Sequence, residues 1–234
     1  MLRWLPENVS TFGDEIDSLF YIIYYLTGAA FILVTVLMIA FLIMYRQREG
    51  RKAVYTHGNT ALELTWTIIP AVIFVALSFM SVTTWGKVKS HPPPADVLLQ
   101  VTAKQFNWEV LYPGPDGKFG TDDDFQIDND IHVPVQKVVH VILKASDVIH
   151  SFFLPHLRVK QDAVPGRDML VWFEATKPGR YELPCAELCG FGHSGMRGWL
   201  YVDSAEDYQK WTQETWADKD SSAKSDQTAN AAVR

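Results

Sequence analysis

From Leu19 to Tyr45 the chain reads LFYIIYYLTGAAFILVTVLMIAFLIMY without one charged residue. From Leu64 to Trp85 it reads LTWTIIPAVIFVALSFMSVTTW, again uncharged. About 20 apolar residues span a bilayer core as a helix, so both runs are long enough. A buried helix of a soluble domain seldom stays apolar all round for this length, and both runs are expected to cross a membrane. Pro70 falls inside the second, where neighbouring helices can satisfy the freed carbonyl. The segment between them, RQREGRKAVYTHGNTALE, carries Arg46, Arg48, Arg51 and Lys52 against Glu49 and Glu63. The positive-inside rule puts this short loop in the cytoplasm and both chain ends on the outer side. The N-terminus, MLRWLPENVSTFGDEID, is acidic where a secretory leader is basic, and the run after it is too long for a signal-peptide core. No removed leader is expected. Residues 1–18 read as an external segment and 19–90 as a transmembrane helix hairpin.

After HPPPA, a stiff exit at residues 91–95, the pattern changes. VLLQVTA (97–103), FNWEVLY (106–112), KVVHVILKA (137–145), MLVWFEA (169–175), GRYELP (179–184) and GWLYV (198–202) are short and rich in β-branched and aromatic residues. Turn clusters such as PGPDG and TKPG separate them, and a helical period returns only in EDYQKWTQETW. The pattern predicts an all-β Greek-key sandwich or barrel over residues 91–216. The tail over residues 217–234 is polar and is expected to be disordered. No internal repeat is visible.

Composition narrows the function. The chain has 234 residues and a formal charge of −6, which disfavours a nucleic-acid partner. Its two cysteines both lie in CAELCGFGHSGM, residues 185–196, with His193 and Met196 close behind. Three readings compete. Two thiols in an exported domain often form a disulfide. A zinc site of two thiolates prefers a Cys-x2–4-Cys spacing with two histidines and has no use for methionine. A loop that supplies Cys, His and Met, with a distant His, matches a copper centre of the electron-transfer type. The second thiolate extends this match, because two thiolates can bridge two copper ions with one imidazole on each. The full spacing Cys-x3-Cys-x3-His-x2-Met favours copper and a one-electron relay. His132, His140, His150 and His156 are candidates for the remote ligand, and spacing alone does not separate His150 from His156. No Cys-x-x-Cys-His is present, so no c-type haem is expected and the electron donor would be a separate protein.

ELTWTIIPA, DVIHSFFLPHLRVKQDAVPGR and CAELCGFGHSGM together give the chain a family likeness. It resembles subunit II of the haem–copper cytochrome c oxidases over nearly its whole length, and the last two stretches are highly specific. The resemblance implies a two-helix hairpin plus a cupredoxin-like barrel that carries the dinuclear copper centre CuA. That barrel would dock on the haem-bearing subunit I, in a complex that includes subunit III. It implies His150 as the remote ligand beside Cys185, Cys189, His193 and Met196. It also implies Glu187 as a ligand through its main-chain carbonyl, with its carboxylate on a magnesium ion at the subunit I boundary. By similarity Glu63 matches the acid at the mouth of a proton channel, although a solvated carboxylate is the plainer reading of a helix entrance. Arg158 and Arg167, in RVKQDAVPGR with Lys160 and Asp162, would face subunit I and its haem propionates rather than form a solvated charge run. Asp147 belongs, by similarity, to an acidic face that meets cytochrome c.

The implied function is electron acceptance from a cytochrome c and delivery to haem in subunit I. There dioxygen would be reduced to water with proton pumping, in an inner membrane with the β domain in the periplasm. Two rival functions share much of the pattern. A quinol oxidase subunit lacks the copper ligands, and the CuA-bearing subunit of a nitric oxide reductase serves another substrate bound in another chain. Two stretches depart from the family. QFNW (105–108) stands where the family shows Gln-Trp-Tyr-Trp, which makes Phe106 the expected electron contact and Trp108 a packing residue on the same strand face. GPDGKFGTDDDF (114–125) reads as a solvated acidic insertion, or less simply as a calcium loop.

Overall fold

The computed structural model describes residues 5–217. The chain divides into two units, one over Asp14–Pro92 and one joining the segment up to Gly13 with the chain from Pro93 onward.

The first unit is helical. α1 (Gly13–Met44) begins well before the uncharged run, because Asp14 and Glu15 occupy its first turn, where the helix dipole favours a carboxylate. α2 (Thr60–Trp85) is capped by Asn59, whose side chain accepts from Leu62 N at 3.1 Å, and continues as one π-turn over Gly86–Ser90. Glu15 and Lys87 pair at 2.7 Å at the far ends of the two helices. Their best windows have mean hydropathies of 2.7 and 2.0 with no residue buried inside the protein. A soluble domain would cover such faces; a bilayer covers them here.

Among the described residues the second unit has ten strands. β1 (Val97–Lys104), β2 (Asn107–Tyr112), β3 (Phe125–Asp128), β5 (Val138–Ala145) and β8 (Met169–Glu174) form one sheet in the order β3-β2-β1-β5-β8. β4 (Asp130–Pro134), β10 (Arg197–Asp203) and β9 (Gly179–Pro184) form a second, and β6 (His150–Leu154) pairs with β7 (Val159–Ala163). β1–β5 and β4–β10 run parallel and the other pairs antiparallel. Alternation places Val139, Val141 and Leu143 inward on β5 and Leu200 and Val202 inward on β10, so the two sheets close on one apolar core.

Four strands go beyond the six that alternation predicts. β3 and β4 lie in an acid-rich stretch, and Asn129, at φ 65°, breaks that stretch so that its halves join different sheets. β6 is buried on nearly every residue and ends at Pro155, so it shows no two-residue period. β2 starts one residue later than expected, which leaves Phe106 in the turn before it.

The N-terminal segment is more than an external lead. Val9 N donates to His156 O at 2.9 Å, Thr176 N donates to Val9 O at 2.8 Å, and Ser10 bridges Ala175. Val9 and Phe12 are buried, and Phe12 meets the Trp172 ring edge-on at 5.0 Å. At the other end of the chain a helix over residues 205–217, α3, packs on β2, β3 and β4 through Trp211. The tail expected from Ala217 onward therefore lies outside the described residues except for Ala217, which is helical.

Candidate metal centre

The loop between β9 and β10 folds back on itself through its own backbone. Cys185 N donates to Met196 O at 3.1 Å, His193 N to Gly190 O at 3.1 Å, and Met196 N to His193 O at 3.1 Å. β6 supports it from the side: Ala186 N donates to Ser151 O at 3.0 Å and Cys185 bridges Phe152. These contacts bring four sequence-predicted residues and one distant histidine together. The two thiols are unbonded, with Sγ atoms 3.9 Å apart. Cys185 Sγ is 3.9 Å from His150 Nδ1, and Cys189 Sγ is 3.6 Å from His193 Nδ1 and 3.8 Å from Met196 Sδ. Glu187 O stands 3.3 Å from Cys185 Sγ, while the Glu187 side chain is exposed. His150, Cys185, Cys189 and Met196 are all buried.

The histidines that spacing left undivided now separate. His140 Nε2 is 2.8 Å from Pro93 O, His156 Nδ1 is 3.1 Å from Glu7 O, and His132 is stacked between aromatic rings. Of these four histidines, His150 is the one whose ring reaches the thiols.

Asp147 acts on the site from behind. Its Oδ1 is 2.8 Å from His150 Nε2, so Nε2–H points at the carboxylate and Nδ1 keeps its lone pair for the sulfur side. The same carboxylate accepts from Gln105 N at 2.7 Å and Val148 N at 2.6 Å. Burial raises its pKa, but the bonds from His150, Gln105 and Val148 outweigh burial and hold it below the usual carboxylate range. The resemblance gives this residue to the face that meets the donor; its position three residues before His150 is the sequence signal for a contact with that ring.

Gln105 and Phe106 lean on the loop as well. Gln105 Nε2 donates to Cys189 O. A Cβ added to Gly192 would come within 2.4 Å of the Phe106 ring, and one added to Gly190, at φ 136°, within 2.6 Å of Gln105 Nε2. The φ of Gly190 favours glycine, and a side chain at position 192 would have to displace the Phe106 ring. Trp108 is fully buried, with its ring 6.2 Å from the His150 ring and 5.8 Å from Phe152.

The remaining predicted residues lie in other segments of the chain. Arg158 sits at φ 58° and donates to Pro155 O and, at 2.8 Å, to Pro6 O, so it ties down the N-terminal segment. Arg167 lies exposed in the turn between β7 and β8. Glu63 is exposed in the first turn of α2, in the helical unit. In the acidic loop, Asp116 accepts from Lys118 N and Asp124 from Gly120 N, so these carboxylates cap their own turn.

Burial, with Cys185 beside it, pushes the Cys189 thiol up to about 11. Two adjacent thiolates are thus unfavourable here unless a cation neutralises them. Two soft sulfurs, two imidazole nitrogens, a thioether and a backbone carbonyl suit copper, and the thioether is not a usual zinc ligand. The residues present fit a copper pair.

A two-span anchor joined to a two-sheet β domain with this donor set at one end defines a membrane-tethered, cupredoxin-like electron-transfer protein. Residues 102–201 match the family profile described as cytochrome C oxidase subunit II, periplasmic domain, and residues 4–84 match its transmembrane domain. The alternative cytochrome c oxidase subunit 2 of Bradyrhizobium diazoefficiens is 30% identical over 233 residues, covering 90% of this chain and 83% of that protein. Cytochrome c oxidase subunit 2 of Thermostichus vulcanus is 30% identical, covering 91% of this chain and 79% of that protein. That of Cereibacter sphaeroides is 32% identical, covering 88% and 78%. The chain belongs to the cytochrome c oxidase subunit II family, and it is a membrane protein.

Proposed function

We propose that this chain is the subunit through which a terminal oxidase takes in electrons. They would come from a soluble cytochrome c and pass to haem in subunit I, where dioxygen is reduced to water and protons are pumped. The observation that carries this reading is the pairing of donors: one imidazole Nδ1 stands 3.9 Å from one buried sulfur and another 3.6 Å from the second. The dinuclear centre CuA, bound there, supplies one-electron exchange with little change in geometry. His150, Cys185, Cys189, His193, Met196 and the carbonyl of Glu187 are its proposed ligands. Asp147 fixes the tautomer of His150 and the direction of its lone pair. Burial of four of the six donors keeps water away from the sulfurs.

The Glu187 carboxylate, exposed beside the site, is assigned to a magnesium ion shared with subunit I. Arg167 is assigned to the same boundary, and Arg158 to that boundary in addition to its hold on Pro6. Glu63 is assigned to a proton-channel entrance. The hairpin is placed in the inner membrane, with its basic loop in the cytoplasm, the β unit in the periplasm and subunit III in the same complex. The test is purification with the partner subunits. Expected are two coppers per chain, one unpaired electron shared between them, and oxygen uptake with reduced cytochrome c but not with quinol. Oxygen uptake driven only by quinol, from a protein without copper, would sink the reading.

A further inference from the structure

The helical unit carries a feature that crossing a membrane does not by itself explain. One face of α1 holds a groove of about 600 Å³, lined by Val34, Leu37, Met38, Phe41, Leu42 and Tyr45. These positions follow the three- and four-residue steps of a single helix face. From Val34 to Tyr45 the groove runs about 16 Å, at 1.5 Å per residue. That is the depth of one leaflet, half of a hydrocarbon core of about 30 Å. Tyr45 and Arg46 line the end of this groove and also a second hollow of about 560 Å³. Arg46, Arg48, Arg51 and Lys52 surround that hollow, and no carboxylate lines it among the described residues. The chain folds back to form it: Arg51 N donates to Arg48 O at 3.2 Å, and Arg51 Nη1 donates to Met44 O at 3.4 Å. Arg51 is thus held by the end of α1, whereas Arg46, Arg48 and Lys52 have no acidic partner among the described residues. The positive-inside rule accounts for cations on this side of the membrane. It does not account for their gathering around one hollow at the mouth of an apolar groove.

We infer that groove and hollow together bind one anionic diacyl phospholipid from the leaflet on the loop's side of the membrane. An acyl chain lies along α1, and the phosphodiester sits among the cations. Arginine can grip two phosphate oxygens with parallel bonds, and its planar fork suits this geometry better than a point charge does. Tyr45, with its ring 5.9 Å from that of Phe41, stands where the apolar part gives way to the charged part, the depth at which amphipathic rings are favoured. Each half of the site disfavours a different rival. A zwitterionic lipid fits the groove but brings a cation of its own to a hollow that already has four. Free phosphate fits the hollow but leaves the groove unused. The inference depends on the hairpin crossing a membrane and is independent of the copper centre.

The test uses the full chain purified with its partner subunits in a neutral detergent, with native mass spectrometry to count retained lipids. The probes are dioleoylphosphatidylglycerol, dioleoylphosphatidylcholine and inorganic phosphate. The native complex should retain one phosphatidylglycerol that phosphatidylcholine does not replace and millimolar phosphate does not displace. The double variant Arg46→Gln, Lys52→Gln leaves Arg48 and Arg51 to orient the hairpin. It should weaken retention of that lipid about thirtyfold, near fivefold for each cation. Val34→Trp keeps every charge and fills the groove; it should lose the same lipid, and it decides the matter if the double variant fails to assemble. Equal retention of phosphatidylcholine overturns the inference, because the lipid would then be annular. Displacement by phosphate overturns it in favour of a free anion. Unchanged retention in Val34→Trp also overturns it, and if that variant sheds a partner subunit as well, the groove is that subunit's interface.

Discussion

Two histidines of the β unit make the same first contact. A ring nitrogen of His132 stands 2.9 Å from Asp203 Oδ2, and one of His150 stands 2.8 Å from Asp147 Oδ1. Both residues lie in strands, and neither is exposed. The rest of the surroundings divide them. The His132 ring is stacked between Tyr201, at 4.5 Å and 3°, and Trp211, at 4.4 Å and 13°, within a group of rings that includes Tyr112. Its faces are closed by carbon. His150 instead presents its free nitrogen to a thiol. A histidine with a carboxylate partner is thus a ligand or a packing piece according to what its second nitrogen meets, and the shared contact carries no information about which.

Removing each ring in turn should have opposite consequences for the metal. His150→Ala should abolish the paired-copper spectrum, because one metal loses its imidazole, whereas His132→Ala should leave spectrum and copper content intact. Copper per chain and electron paramagnetic resonance of the detergent-solubilised protein decide it. If the two variants behave alike, His150 is not a copper ligand.

The carboxylates come next. Asp147→Asn should weaken copper retention by about 10–100-fold, the usual cost of losing a partner behind a metal ligand, and added salt should not restore it. If Asp147 instead serves donor docking, copper stays bound and the association rate falls by an amount that salt erases. Asp203→Asn removes the matching bond at the aromatic end and should leave copper untouched, with a stability loss of about 1 kcal/mol. Competition with a copper chelator separates these outcomes.

Trp211→Ala tests the aromatic end directly. The ring is half-buried, so the loss should be about 2 kcal/mol, below the 3–5 kcal/mol of a fully buried aromatic. Thermal unfolding should move down by several degrees while the metal spectrum holds. A changed copper spectrum in this variant would mean that the two ends are coupled, which nothing in the contacts of His132 suggests.

The sequence was informative where a residue's neighbours in the chain are also its neighbours in space. The two membrane runs, six strands and the Cys-x3-Cys-x3-His-x2-Met spacing are of that kind. β6 escaped because burial on both faces erases alternation, and β3 and β4 because Asn129 redirects the chain in the middle of an acidic stretch. The packing of Val9 and Phe12 is invisible for another reason, since their partners lie about 150 residues away. His150 could not be told from His156 by spacing; the pairing of β6 with β7 carries one to the thiols and the turn after β6 carries the other to Glu7.

The smallest expected effect concerns charge beneath the metal end, which the aromatic end replaces with rings. Ser151, fully buried beside His150, donates through Oγ to Asp162 Oδ1 at 2.7 Å, and Lys160 reaches the same oxygen at 2.9 Å. The bond from Lys160, followed by that from Ser151, holds the Asp162 carboxyl below the usual carboxylate range against a smaller effect of burial. A carboxyl depressed in the folded state stabilises the protein fully above its unfolded pKa of about 3.9. That contribution disappears as pH falls through the lower folded value. Asp162→Asn still accepts from Ser151 but cannot titrate, so its melting temperature should fall less between pH 5 and pH 3 than that of the native protein. The Asp162 side chain is 47% exposed, so solvent screening limits the difference to about 0.5 kcal/mol or less. Melting curves that keep a constant offset over this interval would remove Asp162 from the acid response and leave its bond to Ser151 as a purely geometric support for β6.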